Sequence, residues 1–228
     1  MNSLRFILED SNLEERMEKE RLIIIFLGDY GDRGEYAPEV YWTILNLKNN
    51  FKDRVILLKG NHEGPFPVFP HDLPIRFRRR FGSDRVYEHL RVLWECLPHA
   101  AIVHGRYLFV HGGIPARLKS IDDLSGEKYI EEILWSDPRE IEGVQYSMRG
   151  AGMYFGRDVT ERVLGILGVK TLIRSHEPCD GVFPAHEGRV LTLFSCKAPY
   201  GNLYAAYLDL NLTKAEDAYK IAKKARIF

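Results

Sequence analysis

Asp29, Asn61, His111 and His176 each follow a short apolar run, and together they offer the oxygen and imidazole donors of a divalent-metal site. The runs are Leu22 to Leu27 before Gly28-Asp29, and Val55 to Leu58 ahead of Gly60-Asn61-His62-Glu63. The other two are Tyr107 to Val110 before His111-Gly112-Gly113, and Thr171 to Ile173 before Arg174-Ser175-His176-Glu177. A carboxylate, an amide oxygen and two imidazoles suit manganese, iron or zinc better than calcium, which prefers oxygen alone. Arg33, directly after Asp32, can present a planar fork to a phosphate. His62 leaves the same strand end as Asn61 and is placed to act as a proton donor oriented by a carboxylate.

Donors that all lie at the downstream ends of strand-like runs predict one polar site at a sheet edge, where open α/β folds place their ligands. The elements that would position them are legible. Val40, Ile44, Leu45 and Leu47 have helical spacing between the first two runs, which predicts a β-loop-α-β unit. Four prolines (Pro65, Pro67, Pro70, Pro74) predict a loop over the site between 64 and 74. Phe77, Phe81, Val86, Leu90, Leu93 and Leu97 then predict helices. Residues 101–110 read as a hairpin turning near Gly105-Arg106, and 158–168 as a helix with Val163, Leu164 and Leu167 on one face. Residues 189–209 alternate like antiparallel strands around a Pro199-Tyr200-Gly201-Asn202 turn. Ser11 with Glu14 predicts a capping box for a second N-terminal helix, and Thr213 with Glu216 a cap for a last one, although 219–222 also fits a strand.

The chain has 228 residues, 45% of them hydrophobic and 28% charged, as expected of a globular protein. Lys+Arg and Asp+Glu both total 32, so no net field favours nucleic acid or an anionic membrane. The run Arg76, Arg78, Arg79 and Arg80 reads as a solvated helix face or the rim of an anionic-substrate cleft. No apolar stretch approaches the length of a membrane helix. Cys96, Cys179 and Cys196 form no disulfide framework, and none has an arginine six positions on, the spacing a cysteine-nucleophile phosphatase needs; a cytoplasmic location is expected. His71, His89, His99, His104 and His186 sit in no ligand-like context, and Trp42, Trp94 and Trp135 are expected in or near the core.

The segments Gly28-Asp29-Tyr30-Gly31-Asp32-Arg33-Gly34, Gly60-Asn61-His62-Glu63 and His111-Gly112-Gly113 resemble successive motifs of the phosphoprotein phosphatase family, metal-dependent serine/threonine phosphatases of the calcineurin-like metallophosphoesterase superfamily. The resemblance continues in order through Leu134-Trp135-Ser136-Asp137-Pro138, Met148-Arg149-Gly150, Arg174-Ser175-His176-Glu177, Leu193-Phe194-Ser195 and Tyr200-Gly201, nearly the whole chain. It implies an α/β fold, a central β-sandwich of mixed sheets flanked by helices, forming a single catalytic domain over 1–228. It implies hydrolysis of phosphoserine and phosphothreonine in proteins by a metal-activated water. Asp29 would bridge two metals, with Asn61, His111 and His176 completing the coordination of the second metal. Arg33 and Arg149 would hold the phosphate, and His62, paired with Asp32, would protonate the leaving alkoxide. Tyr200 resembles a family tyrosine near the phosphate, within an altered Ser195-Cys196-Lys197-Ala198-Pro199-Tyr200 context.

One motif of the family pattern has no counterpart. The opening Gly-Asp-x-His-Gly strand end, whose Asp and His hold the first metal, is absent, and Ser3 to Glu9 resembles the helix that follows it. The expectation is therefore an N-terminally incomplete domain without its first strand, holding one divalent ion, with manganese expected ahead of iron or zinc, and with much reduced activity. Two rivals follow: a related hydrolase of dinucleoside polyphosphates or phosphotyrosine, and an inactive phosphate-binding scaffold. Phosphoprotein substrates are the expected partners; loop 64–74 departs from the family sequence and leaves regulatory subunits unassigned.

Overall fold

The computed structural model describes residues 1–228. Two short helices, α1 (Asn2–Asp10) and α2 (Leu13–Lys19), precede β1 (Ile24–Phe26), α3 (Ala37–Phe51), β2 (Val55–Leu57), α4 (Leu73–Phe81) and α5 (Arg85–Glu95). The predicted β-loop-α-β unit forms: β1 and β2 pair in parallel, with Ile24 opposite Val55 and Phe26 opposite Leu57. Next come β3 (Ala100–Val103), β4 (Tyr107–Val110), α6 (Ile130–Trp135), β5 (Asp137–Pro138), β6 (Val144–Tyr146), β7 (Met153–Phe155) and α7 (Arg157–Leu167). The chain then runs through β8 (Thr171–Arg174), β9 (Val182–Ala185), β10 (Val190–Leu193), β11 (Ala206–Tyr207), α8 (Ala218–Ala222) and β12 (Arg226–Ile227).

A five-stranded mixed sheet in the order β3-β4-β8-β10-β9 dominates, with β4, β8 and β10 parallel and the outer two strands antiparallel to their neighbours. Its central strands are buried on both faces, which is why Tyr107 to Val110 and Thr171 to Ile173 read as apolar runs without a polar face. Alternate residues feed different layers. Leu108, Val110, Leu172 and Val190 pack with α6 and α7 residues such as Ile133 and Val163. Tyr107, Phe109, Ile173 and Leu191 point the other way and meet Leu58, Ile25, Leu27 and Ile56 from the two-stranded sheet. The two sheets therefore lie face to face. The outer face of the small sheet is covered by α2 to α5 through Met17, Tyr41, Ile44, Phe77 and Trp94.

Several local expectations fail for identifiable reasons. Ser11 caps the end of α1, its hydroxyl donating to the Ile7 carbonyl, so no capping box forms with Glu14. The stretch 189–209 is not a hairpin: β10 lies between β8 and β9, while β11 pairs with the C-terminal β12. The last helix is capped by Asp217, which accepts from the Lys220 N–H, and not by Thr213. Pro74 does not extend the loop but occupies the first turn of α4, where its missing N–H costs nothing. Trp42 is 70% exposed on the outer side of α3, although Trp94 is buried as expected. Three of the four arginines of α4 are tied to acidic neighbours, Arg76 to Asp72, Arg78 to Asp84 and Arg80 to Glu39.

Candidate active site

Four strand ends converge. Asp29 follows β1, Asn61 follows β2 in a single helical turn (Asn61–Glu63), His111 follows β4, and His176 follows β8. The Asn61 side-chain oxygen is 3.0 Å from His111 Nε2 and 3.2 Å from His176 Nδ1, and lies 3.1 Å from both carboxylate oxygens of Asp29. His111 Nε2 is also 3.2 Å from His176 Nδ1 and 3.4 Å from Asp29 Oδ1. His111 Nδ1 donates to the Leu27 carbonyl at 2.7 Å, which fixes its tautomer and leaves the Nε2 lone pair facing the cluster. Turning the Asn61 amide would aim two hydrogens at four acceptors and satisfy only half of them. With its oxygen inward, five lone-pair atoms face one another. A cation among them converts that repulsion into coordination, so Asp29, Asn61, His111 and His176 fit a divalent metal. Burial, with the Arg174 charge nearby, holds His176 well below the usual histidine range, and the neutral imidazole is the form that coordinates.

The backbone is strained where these donors leave their strands. Of the eight non-glycine residues with positive φ, four are Asp29, Asp32, Arg33 and His176, a concentration typical of functional loops. Glu63 staples two of the loops together. Its carboxylate accepts the N–H groups of Asp29 at 2.8 Å, Tyr30 at 3.0 Å and Gly60 at 3.0 Å, and the Tyr41 hydroxyl at 3.1 Å. Burial and the Asp29 charge nevertheless push the Glu63 carboxyl up. Gly60 is where this staple leaves no room: a Cβ there would lie 2.3 Å from both the Asp29 nitrogen and Asp29 Oδ1, and 2.6 Å from Glu63 Oε2. Gly60→Ala is therefore expected to destabilise the chain by about 3 kcal/mol, the upper range for overpacking, and to lose metal-induced thermal stabilisation. Thermal melts with and without manganese check this; an unchanged melting temperature would contradict it.

Beside the donors sits an acid pair. His62 Nδ1 is 2.7 Å from Asp32 Oδ2, and the His62 backbone N–H donates to Asp29 Oδ1 at 3.1 Å. Burial works against a charged His62, but the Asp29, Asp32 and Glu63 carboxylates outweigh it and raise its pKa, which favours a proton-bearing ring. Burial likewise pushes Asp32 up, and the hydrogen bonds from His62 and His71 reverse this and hold it low.

Two guanidiniums complete the surroundings. Arg33 donates to the Tyr200 hydroxyl at 2.6 Å, and its guanidinium also lies over the tyrosine ring. Burial raises the Tyr200 pKa, Arg33 opposes this, and the nearby Asp29 charge adds to it. Arg149 donates through Nε to Asp137 Oδ2 at 2.8 Å. Asp137 in turn receives Arg174 Nη2 at 2.8 Å on Oδ1, and both side chains are wholly buried. Arg174 also pairs with Glu177, which binds Arg139 at 2.6 Å.

All nine predicted site residues thus fall in this one region. Three residues escaped the sequence reading. Glu63 could have been found from its place three residues after Gly60, a capping position. Asp137 carried only the Trp135-Ser136-Asp137-Pro138 motif as a signal, with nothing to show that it links Arg149 to Arg174. His71 has no ligand-like sequence context, yet its Nδ1 lies 2.6 Å from Asp32 Oδ2; no spacing in the sequence signals this.

A family model described as calcineurin-like phosphoesterase matches residues 3–180, and the chain belongs to that family. A curated relative described as a probable serine/threonine-protein phosphatase of Encephalitozoon cuniculi (strain GB-M1) is 35% identical over 219 residues, covering 90% of this chain and 48% of the relative. The chain thus spans about half the length of that relative. Among solved structures, a protein serine/threonine phosphatase from Saccharomyces cerevisiae with similarity to human phosphatase PP5 superposes with a TM-score of 0.75 at 25% identity, over 95% of this chain and 74% of that one. A cold-active protein-tyrosine phosphatase of a psychrophile Shewanella species shares the fold at 17% identity and a TM-score of 0.52, over 74% and 59% of the two chains. The mixed α/β architecture expected from the resemblance is the one these comparisons support.

Proposed function

We propose that this chain hydrolyses phosphate monoesters on serine and threonine side chains of proteins, using one divalent ion held by Asp29, Asn61, His111 and His176. The observation that carries this reading is the convergence of those four donors beside the Asp32–His62 pair. When bound, the ion supplies positive charge to the phosphoryl oxygens and lowers the pKa of an attacking water. Manganese suits the mixed oxygen and imidazole set, as iron or zinc would. Arg33 and Arg149 neutralise non-bridging oxygens, where developing charge is most effectively met by preorganised donors. The Tyr200 hydroxyl orders Arg33 from one side, and Asp137 orders Arg149 from the other. His62, with Nδ1–H held by Asp32, presents Nε2 to the leaving alkoxide and gives it a proton. Asp32 stays ionised throughout and keeps the ring in that orientation.

Three free cysteines fit a reducing compartment, and the cytoplasm is the location we propose. No helix is long and apolar enough to cross a membrane. Phosphate release from phosphoserine, phosphothreonine and phosphotyrosine peptides and from diadenosine tetraphosphate, each with manganese, tests the substrate class. Release from the first two is expected. Release confined to phosphotyrosine or the dinucleotide would replace this function with that of a related hydrolase. Phosphate binding without any release would make the chain a scaffold.

A further inference from the structure

The Asp32 carboxylate serves two histidines, of which the proposed chemistry uses one. His71 Nδ1 lies 2.6 Å from Asp32 Oδ2, the same oxygen that His62 Nδ1 approaches to 2.7 Å. The other oxygen, Oδ1, accepts the backbone N–H groups of Asp72 at 3.0 Å and Leu73 at 2.9 Å. The Asp32 side chain has no exposed surface, so these four donors are its polar surroundings. An ionised carboxylate only accepts, so both imidazoles must present Nδ1–H to it. On its far side His71 Nε2 lies 2.9 Å from the Tyr87 hydroxyl, which ties the ring to α5. Asp32 itself sits at φ +62°, a conformation its neighbours must hold in place. Residues 71–73 thus grip the carboxylate by three of its four hydrogen bonds, and His62 supplies the fourth.

We propose that His71 is a positioning residue for His62: by clamping Asp32 from the proline-rich segment, it keeps the His62 ring aimed at the leaving group. The proposal rests on the reading of His62 as the proton donor. Without His71, Oδ2 keeps His62 as its single donor, and the carboxylate, still anchored through Oδ1 by the Asp72 and Leu73 N–H groups, loses the contact that fixes Oδ2. The His62 ring would then wander from the leaving oxygen, while the phosphate-holding arginines stay where they are. The loss should scale with how much the leaving group needs a proton. A merely structural role would depress all substrates alike.

The test compares His71→Leu, His71→Asn and Tyr87→Phe on p-nitrophenyl phosphate, a good leaving group, and phenyl phosphate, a poor one. General acids contribute about 10²- to 10⁴-fold, so partial misorientation should lower kcat for phenyl phosphate about tenfold or more in His71→Leu. p-Nitrophenyl phosphate should lose much less, with KM little changed for either. His71→Asn places an amide N–H near the lost Nδ1–H and should restore most of the rate; Tyr87→Phe should show a milder version of the same leaving-group dependence. Equal losses on both substrates, or no loss, would overturn the proposal. A readout independent of turnover comes from proton NMR of the metal-free chain. Two strongly downfield imidazole N–H resonances are expected, both moving upfield in Asp32→Asn and one vanishing in His71→Leu. If the unaltered chain turned over neither substrate, the functional reading would fail on its own. The resonances would then decide about His71, and a single downfield signal would refute the shared carboxylate.

Discussion

Asp29→Asn is expected to abolish manganese binding and to lower phosphate release by about 10³-fold or more, at least the scale of losing a preorganised electrostatic group at a reacting phosphoryl centre. The substitution keeps the side chain's shape. What it removes is the negative charge next to three imidazoles, His111, His62 and His176. Burial raises the Asp29 carboxyl, but those imidazoles overcome it and hold the group well below the usual carboxylate range. The Asn61 oxygen and the two histidine nitrogens would remain, without the only anionic donor. Binding to the folded chain alone stabilises it by about 2.7 kcal/mol at a hundredfold excess over Kd. The manganese-induced rise in melting temperature should therefore disappear in Asp29→Asn, while the metal-free melting temperature stays close to that of the unaltered chain. A variant that still melted higher with manganese would show that the ion is held elsewhere.

Asp137→Ala should have the largest effect on stability. Arg174 is buried beneath the site, donating to the Gly112 carbonyl at 2.5 Å as well as to Asp137 and Glu177. Removing Asp137 leaves that guanidinium with the partly exposed Glu177 as its remaining counter-charge. Breaking a buried ion pair from one side costs about 3–5 kcal/mol, because the other charge stays behind uncompensated. The same substitution releases Arg149, so phosphate affinity should fall along with stability. Urea unfolding measures the first effect and inhibition by inorganic phosphate the second. Arg149→Leu separates the two, because it should weaken phosphate inhibition with little change in unfolding. If Asp137→Ala unfolded at the same urea concentration as the unaltered chain, the buried pair would not be supporting the site.

The His111 and His176 strand ends were readable because β4 and β8 are covered on both faces, so each shows an apolar run that stops close to its donor. The β1-α3-β2 unit was readable for a similar reason, its helix showing a one-sided apolar pattern. What failed depended on which strands lie side by side. β10 takes its antiparallel partner from β9, across the turn at His186–Gly188, so the alternation over 189–209 pointed to the wrong partner. The site divided in the same way. Donors next to strand ends carry a local signal, whereas Asp137 meets Arg174 across 37 residues and His71 meets Asp32 across 39. Trp42 misled because a large aromatic side chain at the rim of α3 has the composition of a core residue and the exposure of a surface one.

The most direct test of the central claim is phosphate release from a phosphothreonine peptide as manganese is titrated into the metal-stripped chain. Four converging donors predict release that rises to saturation at one manganese per chain and is absent in chelator and in His111→Ala. Release that persists in chelator, or none at saturating manganese, would contradict the account.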